Sequence, residues 1–249
     1  MKILRRRWLV VLVCGAGLLF ATVHGLHRLA RSRTYQVFGK LVPRAETTER
    51  VVALTFDDGP TAAVIDDILA VLASRHIRAT FFVTGADMVE APAAAHRLVA
   101  AGHELGNHTY SHKRMVLRSQ AFFRSEVERT DELIRAAGEK REIYFRMPYG
   151  WKLVGLPWFL WRTGRTAVTW DVDPAPSPKV APEMIVTRTL EHVRPGSIIL
   201  LHPWYQSGPS VRAALPLIID KLQAQGYQFL TVDELLRINT GGAPVVSQQ

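Results

Sequence analysis

The stretch "ALTFDDGP", residues 53–60, runs from four residues suited to a strand into two adjacent aspartates and then into Gly-Pro. Asp-Gly-Pro is a strong turn signal, and on that reading Asp58 serves the turn and Asp57 is incidental. Adjacent carboxylates at the end of an apolar run repel each other and resist burial. A functional reading therefore needs a cation beside them, either a metal or an arginine.

Outward from this stretch, the chain alternates apolar runs with amphipathic segments of helical length. The strand candidates are residues 51–56, 79–84, 103–107, 143–146, 166–171, 197–202 and 228–232, with helix candidates near 62–74, 92–101, 119–137, 181–193 and 210–225. Repeated β-α order predicts an α/β fold with a parallel sheet and helices outside, doubly wound or closed as a barrel. The chemically loaded residues fall at the C-terminal ends of these runs: Asp57 and Asp58, His108 and His112, Arg146, Asp171 and Asp173, and His202. In a β/α barrel such ends share one rim, where active sites are built.

With 249 residues and 48% hydrophobic content, the chain can form one large domain. Its formal charge of +9 is concentrated in residues 1–33, which carry seven basic residues and no acid, leaving +2 for the remainder. That distribution argues against nucleic acid as a partner. Residues 1–33 place three arginines ahead of an apolar stretch from Trp8 to about Leu26. They predict a transmembrane signal anchor with the body of the protein extracytoplasmic, periplasmic or at the cell surface. A cleaved, secreted form is the rival, although Ala21-Thr22-Val23 is a poor cleavage site. Cys14, the single cysteine, lies within this stretch, so an exported body has no disulfide and depends on its core. Residues 34–50 read as a linker, 51–238 as the folded domain, and 239–249 as a disordered tail.

"HTYSH", residues 108–112, sets His108 and His112 four apart, where they can share one metal from a helical face or from a loop. A carboxylate from another strand end completes a His/His/Asp set that leaves positions open on Zn²⁺ or a similar ion. His103 reads as structural. The aromatics of "WKLVGLPWFLW", residues 151–161, fit a sugar-stacking wall, core packing or a membrane surface, and Trp204 and Tyr205 after His202 are groove candidates.

"TFDDGP", "HTYSH", "RMPYG", "WDVDP" and "IILLHP" occur in the order and approximate spacing of the five motifs of the polysaccharide deacetylase family, also called the NodB-homology or carbohydrate esterase family 4 domain. The chain resembles that family over about residues 50–238. The resemblance implies a distorted (β/α) barrel and a metal-dependent hydrolase, using Zn²⁺ or Co²⁺, that removes N-acetyl groups from an amino-sugar glycan of the cell envelope. It further implies Asp58, His108 and His112 as metal ligands, Asp57 as general base and Arg146 as its partner. The backbone N–H of Tyr149 would act as oxyanion donor and His202 as general acid. One motif departs from the family pattern: in "WDVDPAPSP" Pro176 and Ser177 stand where an Asp-aromatic pair that orients the histidine is expected. Asp173 or Asp171 could supply that partner from a shifted loop, or His202 could lack one. An O-acetyl esterase and a degraded, membrane-anchored glycan-binding domain are the alternative functions.

Overall fold

The computed structural model describes residues 2–177, 179–205 and 208–238, without the side chains of residues 2–11 and 13. The tail for which the sequence predicts disorder, 239–249, lies outside the described residues.

The chain folds as a parallel α/β structure. A long helix α1 (Lys2–Arg31) leads into β1 (Leu41–Val42) and β2 (Val51–Asp57). Then follow α2 (Ile65–Ser74), β3 (Thr80–Val83), α3 (Gly85–Glu90), α4 (Pro92–Ala100), β4 (Glu104–Asn107) and α5 (Gln120–Ala136). The remainder is α6 (Gly155–Arg162), β5 (Ala167–Val168), α7 (Pro182–His192), β6 (Ile198–Leu201), α8 (Gly208–Ala224), β7 (Gln228–Leu230) and α9 (Val232–Ile238). The strands pair in parallel in the order β4-β3-β2-β6, with β7 along the first half of β2 and β1 on β5. Phe145 bridges Asn107 to Ala167, and Val172 bridges to Ile199, so parallel pairing continues beyond the regular strands.

Strand parity divides the core. Val52, Leu54 and Phe56 of β2, with Phe81 and Ile199 beside them, face the helices and join the largest apolar cluster. Val51 and Ala53, with Phe82, Ile198 and Leu200, face the other way into a second cluster. Both faces of β2 are therefore buried, as parallel strands covered by helices require, and the run reads as continuously apolar. Continuing the parity along β2 puts Thr55 and Asp57 on the inner face.

Two regions differ from expectation. Within residues 34–50, where the sequence suggests a linker, β1 pairs with β5, and Val42 and Ala45 are buried. Residues 143–146 contribute bridges at Phe145 and no regular strand. As for the expected transmembrane helix, no helix among the described residues is long and apolar enough to cross a membrane. The fold thus lends no support to that reading of residues 1–33, whose apolar stretch 8–26 falls partly on side chains outside those described. The C-terminal end of α1 is fixed to the domain: the Lys152 backbone N–H donates to the Ala30 carbonyl at 2.9 Å, and Lys152 Nζ donates to the Ser32 carbonyl.

Candidate active site

Asp57 ends β2 pointing inward, and there it meets the fully buried Arg146. Arg146 NH1 donates to Asp57 Oδ1 at 2.6 Å and to Thr55 Oγ1 at 2.8 Å. The rest of the guanidinium is held by the carbonyls of Val168 at 3.2 Å and Thr169 at 2.9 Å, and the group stacks 3.9 Å from the Phe82 ring centroid. Burial alone would raise the Asp57 carboxyl. The Arg146 charge, helped by His108 and His202 and by the direct hydrogen bond, outweighs it and holds Asp57 below the ordinary carboxylate range.

Asp58 diverges from its neighbour because its backbone adopts φ 72°, a left-handed conformation that Asp tolerates better than most residues. Gly59 follows at φ 59°, and a Cβ there would lie 2.6 Å from the Trp204 ring, so the turn needs glycine for both reasons. The Asp58 carboxylate then faces the two histidines, with Oδ1 lying 3.3 Å from His112 Nε2 and 3.7 Å from His108 Nε2.

The histidines come from a loop and not from a helix. Asn107, at the end of β4, anchors it: its Nδ2 donates to the Val127 carbonyl at 2.8 Å and to Asp131 Oδ1 at 2.6 Å, and its Oδ1 accepts from Thr109 N–H at 2.8 Å. Buried Glu126 of α5 accepts from the Ser111 backbone at 2.8 Å and from its hydroxyl at 2.7 Å. His108 Nδ1 lies 2.8 Å from the Arg146 carbonyl. A carbonyl can only accept, so Nδ1 carries the proton and Nε2 presents its lone pair to the cleft. Burial, with the neighbouring His108, pushes His112 toward its neutral form against the pull of Asp58.

The donor set suits a divalent metal. One ligand atom from each of Asp58, His108 and His112 can be chosen with all three within 4.8 Å of one another. Ligands about 2.0–2.1 Å from a tetrahedral ion sit about 3.3–3.5 Å apart, close to the carboxylate–imidazole separations seen here. Asp58 Oδ1 is buried without a hydrogen-bond partner among the described residues, a cost that a cation would remove.

These residues line a cleft of about 870 Å³ together with Tyr149, Asp173 and His202. His202 follows β6. Burial raises Asp173, while the charges of His202 and Arg33 pull it down. Asp171 is committed elsewhere, its Oδ1 accepting from Ile198 N–H and its Oδ2 from Ser197 Oγ, both at 2.9 Å. Of the two aspartates, Asp173 is thus the one that lines the cleft with His202. Tyr149 adopts φ 60°, and its ring centroid lies 4.7 Å from that of His112. Three residues of this cleft, Asp58, His112 and Tyr149, have left-handed backbone, a strain that functional sites often hold.

The aromatic expectations divide. Tyr205 is 53% exposed on the cleft, its hydroxyl donating to Asp87 Oδ1 at 2.7 Å. Trp204 is 3% exposed and packs into the core beside Phe81, a correction to its reading as a groove wall. Trp151 lines the cleft, Phe159 is buried, and Trp158 and Trp161 cluster with Phe38 apart from it. His103 is buried, accepts from Ala79 N–H at 3.2 Å, and is lowered to about 4 by burial and then by nearby arginines. Sequence reading missed Thr55, Asn107 and Glu126. A legible signal existed for Glu126, which interrupts the buried stripe Phe123, Val127, Thr130 and Ile134 of α5.

Comparison with known proteins identifies relatives of this chain. The family profile described as polysaccharide deacetylase matches residues 44–155. The chitooligosaccharide deacetylase of Bradyrhizobium sp. is 34% identical over 199 residues, covering 75% of this chain and 90% of the relative. The chain belongs to the polysaccharide deacetylase family. Within the family, the peptidoglycan-N-acetylglucosamine deacetylase PgdA of Listeria monocytogenes is 29% identical over 200 residues, 78% of this chain. This polysaccharide deacetylase family member spans only 40% of that relative's length. Among solved structures, the Bc1960 peptidoglycan N-acetylglucosamine deacetylase aligns at TM-score 0.75 and 28% identity, covering 79% of this chain and 92% of that one.

Proposed function

We propose that this protein hydrolyses N-acetyl groups of an amino-sugar glycan, with a divalent metal, Zn²⁺ or Co²⁺, held by Asp58, His108 and His112. The observation that carries the reading is the division of labour between adjacent carboxylates, Asp57 on buried Arg146 and Asp58 on the histidine pair. Relatives named for peptidoglycan N-acetylglucosamine and for chitooligosaccharides support the substrate class.

A metal bound there supplies Lewis-acid polarisation of the acetyl carbonyl and lowers the pKa of water. Asp57, kept ionised and aimed by Arg146 through Oδ1, accepts the proton of the attacking water as general base. The backbone N–H of Tyr149, a residue of the cleft wall beside His112, serves in this reading as oxyanion donor. His202, oriented by Asp173, returns a proton to the departing sugar nitrogen. The continued parallel pairing through Phe145 and Val172 fits the distorted barrel that brings these strand ends to one rim.

We also place the domain outside the cytoplasm, with α1 as its membrane anchor. Leu18, Leu19, Phe20 and Val23 lie on several faces of α1 and are all exposed, Phe20 at 73%, so the domain leaves them uncovered.

Acetate release by the full chain from N-acetylglucosamine oligomers and from O-acetylated xylan, with metal and after chelation, tests the proposal. Metal-dependent release from the N-acetyl substrate is expected. Release only from the xylan would make the protein an O-acetyl esterase, and glycan binding without any release would make it a binding domain.

A further inference from the structure

One wall of the cleft carries charge that the chemistry above does not use. Tyr149, whose ring adjoins His112, begins a lane that continues through Arg114 to Trp151 and Arg31. The Arg114 guanidinium lies 5.5 Å from the Tyr149 ring and 5.2 Å from the Trp151 ring, and the Arg31 guanidinium lies 5.8 Å from Trp151. All four residues line the same cleft as the candidate metal ligands. Among the described residues neither guanidinium has an acidic partner. Both side chains are exposed on the cleft wall, whereas Arg146, Arg165 and Arg141 are held by Asp57, Asp131 and Glu139.

Arg31 owes its place to the domain. The carbonyls on either side of it, Ala30 and Ser32, both accept from Lys152. Lys152 is almost fully buried, and that burial pulls its amine down to about 8. Such a lysine is costly unless its donors are used, and here they clamp the end of α1 to the rim. The aromatic faces of Trp151 and Tyr149 then restrict both arginines by cation–π contact.

We propose that Arg31 and Arg114 recognise a negatively charged substituent, a carboxylate or a phosphate, on the glycan next to the acetamido group being cleaved. This rests on the deacetylase reading above and specifies its substrate as an acidic glycan. Arginine forks suit both anions.

Calorimetry on the metal-stripped full chain, which cannot turn substrate over, tests this independently of catalysis. Two matched pairs serve as probes: di-N-acetylchitobiose against the N-acetylglucosamine–N-acetylmuramic acid disaccharide, and N-acetylglucosamine against its 1-phosphate. The anionic member of at least one pair is expected to bind about five- to tenfold tighter, an advantage that shrinks with added salt. A carboxylate-only advantage identifies an acidic sugar, and a phosphate-only advantage a phosphorylated glycan or glycolipid headgroup. Arg31→Gln with Arg114→Gln should erase the advantage while leaving neutral affinity unchanged, and Arg31→Lys with Arg114→Lys should restore part of it. Equal binding within both pairs, or an advantage that survives the glutamine variant, would overturn the proposal. Loss of acetate release on every substrate with the anion preference intact would instead overturn the deacetylase reading and leave an acidic-glycan binding site.

Discussion

Two carboxylates buried at opposite ends of the sheet meet opposite fates. At the C-terminal end of β2, Asp57 faces Arg146 at 2.6 Å and stays ionised below its ordinary range. At the N-terminal end of β4, Glu104 accepts from Thr80 Oγ1 at 2.7 Å and Asp233 N–H at 3.1 Å, and no cation touches it among the described residues. Burial dominates there, and hydrogen bonds together with the more distant Arg141 leave Glu104 raised to about 8. Burial of both thus yields a charged group poised for chemistry at one end and a protonated one tying α9 to the sheet at the other. The contacting partner, not the burial, decides.

Replacing Arg146 by Met has the largest expected effect, because it leaves Asp57 as cation-free as Glu104. The variant should lose about 3–5 kcal/mol of stability in denaturant unfolding, since a buried charge is left unpaired. Adding Asp57→Asn should recover much of that loss. A single variant as stable as wild type would show that Arg146 does not offset the Asp57 charge. Asp58→Ala should lower Zn²⁺ affinity more than about 100-fold by equilibrium dialysis, a loss beyond that for an outer-sphere partner. Its unfolding should lose no more than about 1–2 kcal/mol, the cost of alanine at φ 72°, because Asp58 Oδ1 has no hydrogen bond to lose among the described residues.

Glu104→Gln removes the ionisable group at the opposite end of the sheet. With a folded value of about 8 against an ordinary 4.5, folded Glu104 holds its proton where the unfolded chain has lost it. Its contribution is complete below pH 4.5 and is lost as pH rises through 8. Wild type should therefore lose about 3–5 kcal/mol relative to Glu104→Gln between pH 4.5 and 8, read from unfolding at several pH values. A constant difference would mean Glu104 is ionised throughout. Asp57 carries the opposite sign: its depressed value gives stability present above pH 3.8 and lost as pH falls through the folded value. The smallest effect belongs to Tyr205→Phe, which removes an exposed hydrogen bond to Asp87 and should shift stability by less than about 0.5 kcal/mol. A larger shift in thermal unfolding would assign the rim a structural part it lacks here.

The site was more legible in the sequence than the fold's margins. The apolar run of β2 ending in Asp57 and Asp58 declared both strand and rim, and α4, α5 and α7 begin and end within about two residues of their periodic patterns. A two-residue strand such as β1 has no period to read, so Leu41 and Val42 passed for linker. Trp204 adjoins His202 in sequence, yet its ring turns under Gly59 into the core, a rotation no pattern records. Asp171 and Asp173 share strand parity, and the backbone pairing of Asp171 and Val172 with Ile198 separates them: Asp171 meets the start of β6 while Asp173 reaches the cleft. The charged lane of Arg31 and Arg114 joins residues far apart in sequence through Lys152 and Trp151, contacts that only the folded chain assembles.

The separate roles of the adjacent aspartates are resolved by a titration of the chelator-stripped full chain with Zn²⁺ that follows bound metal and acetate released from N-acetylglucosamine oligomers together. Wild type should reach full activity at one equivalent, Asp57→Asn should bind that equivalent and release no acetate, and Asp58→Ala should fail to bind it. Full activity without metal, or undiminished acetate release by Asp57→Asn, would contradict the account.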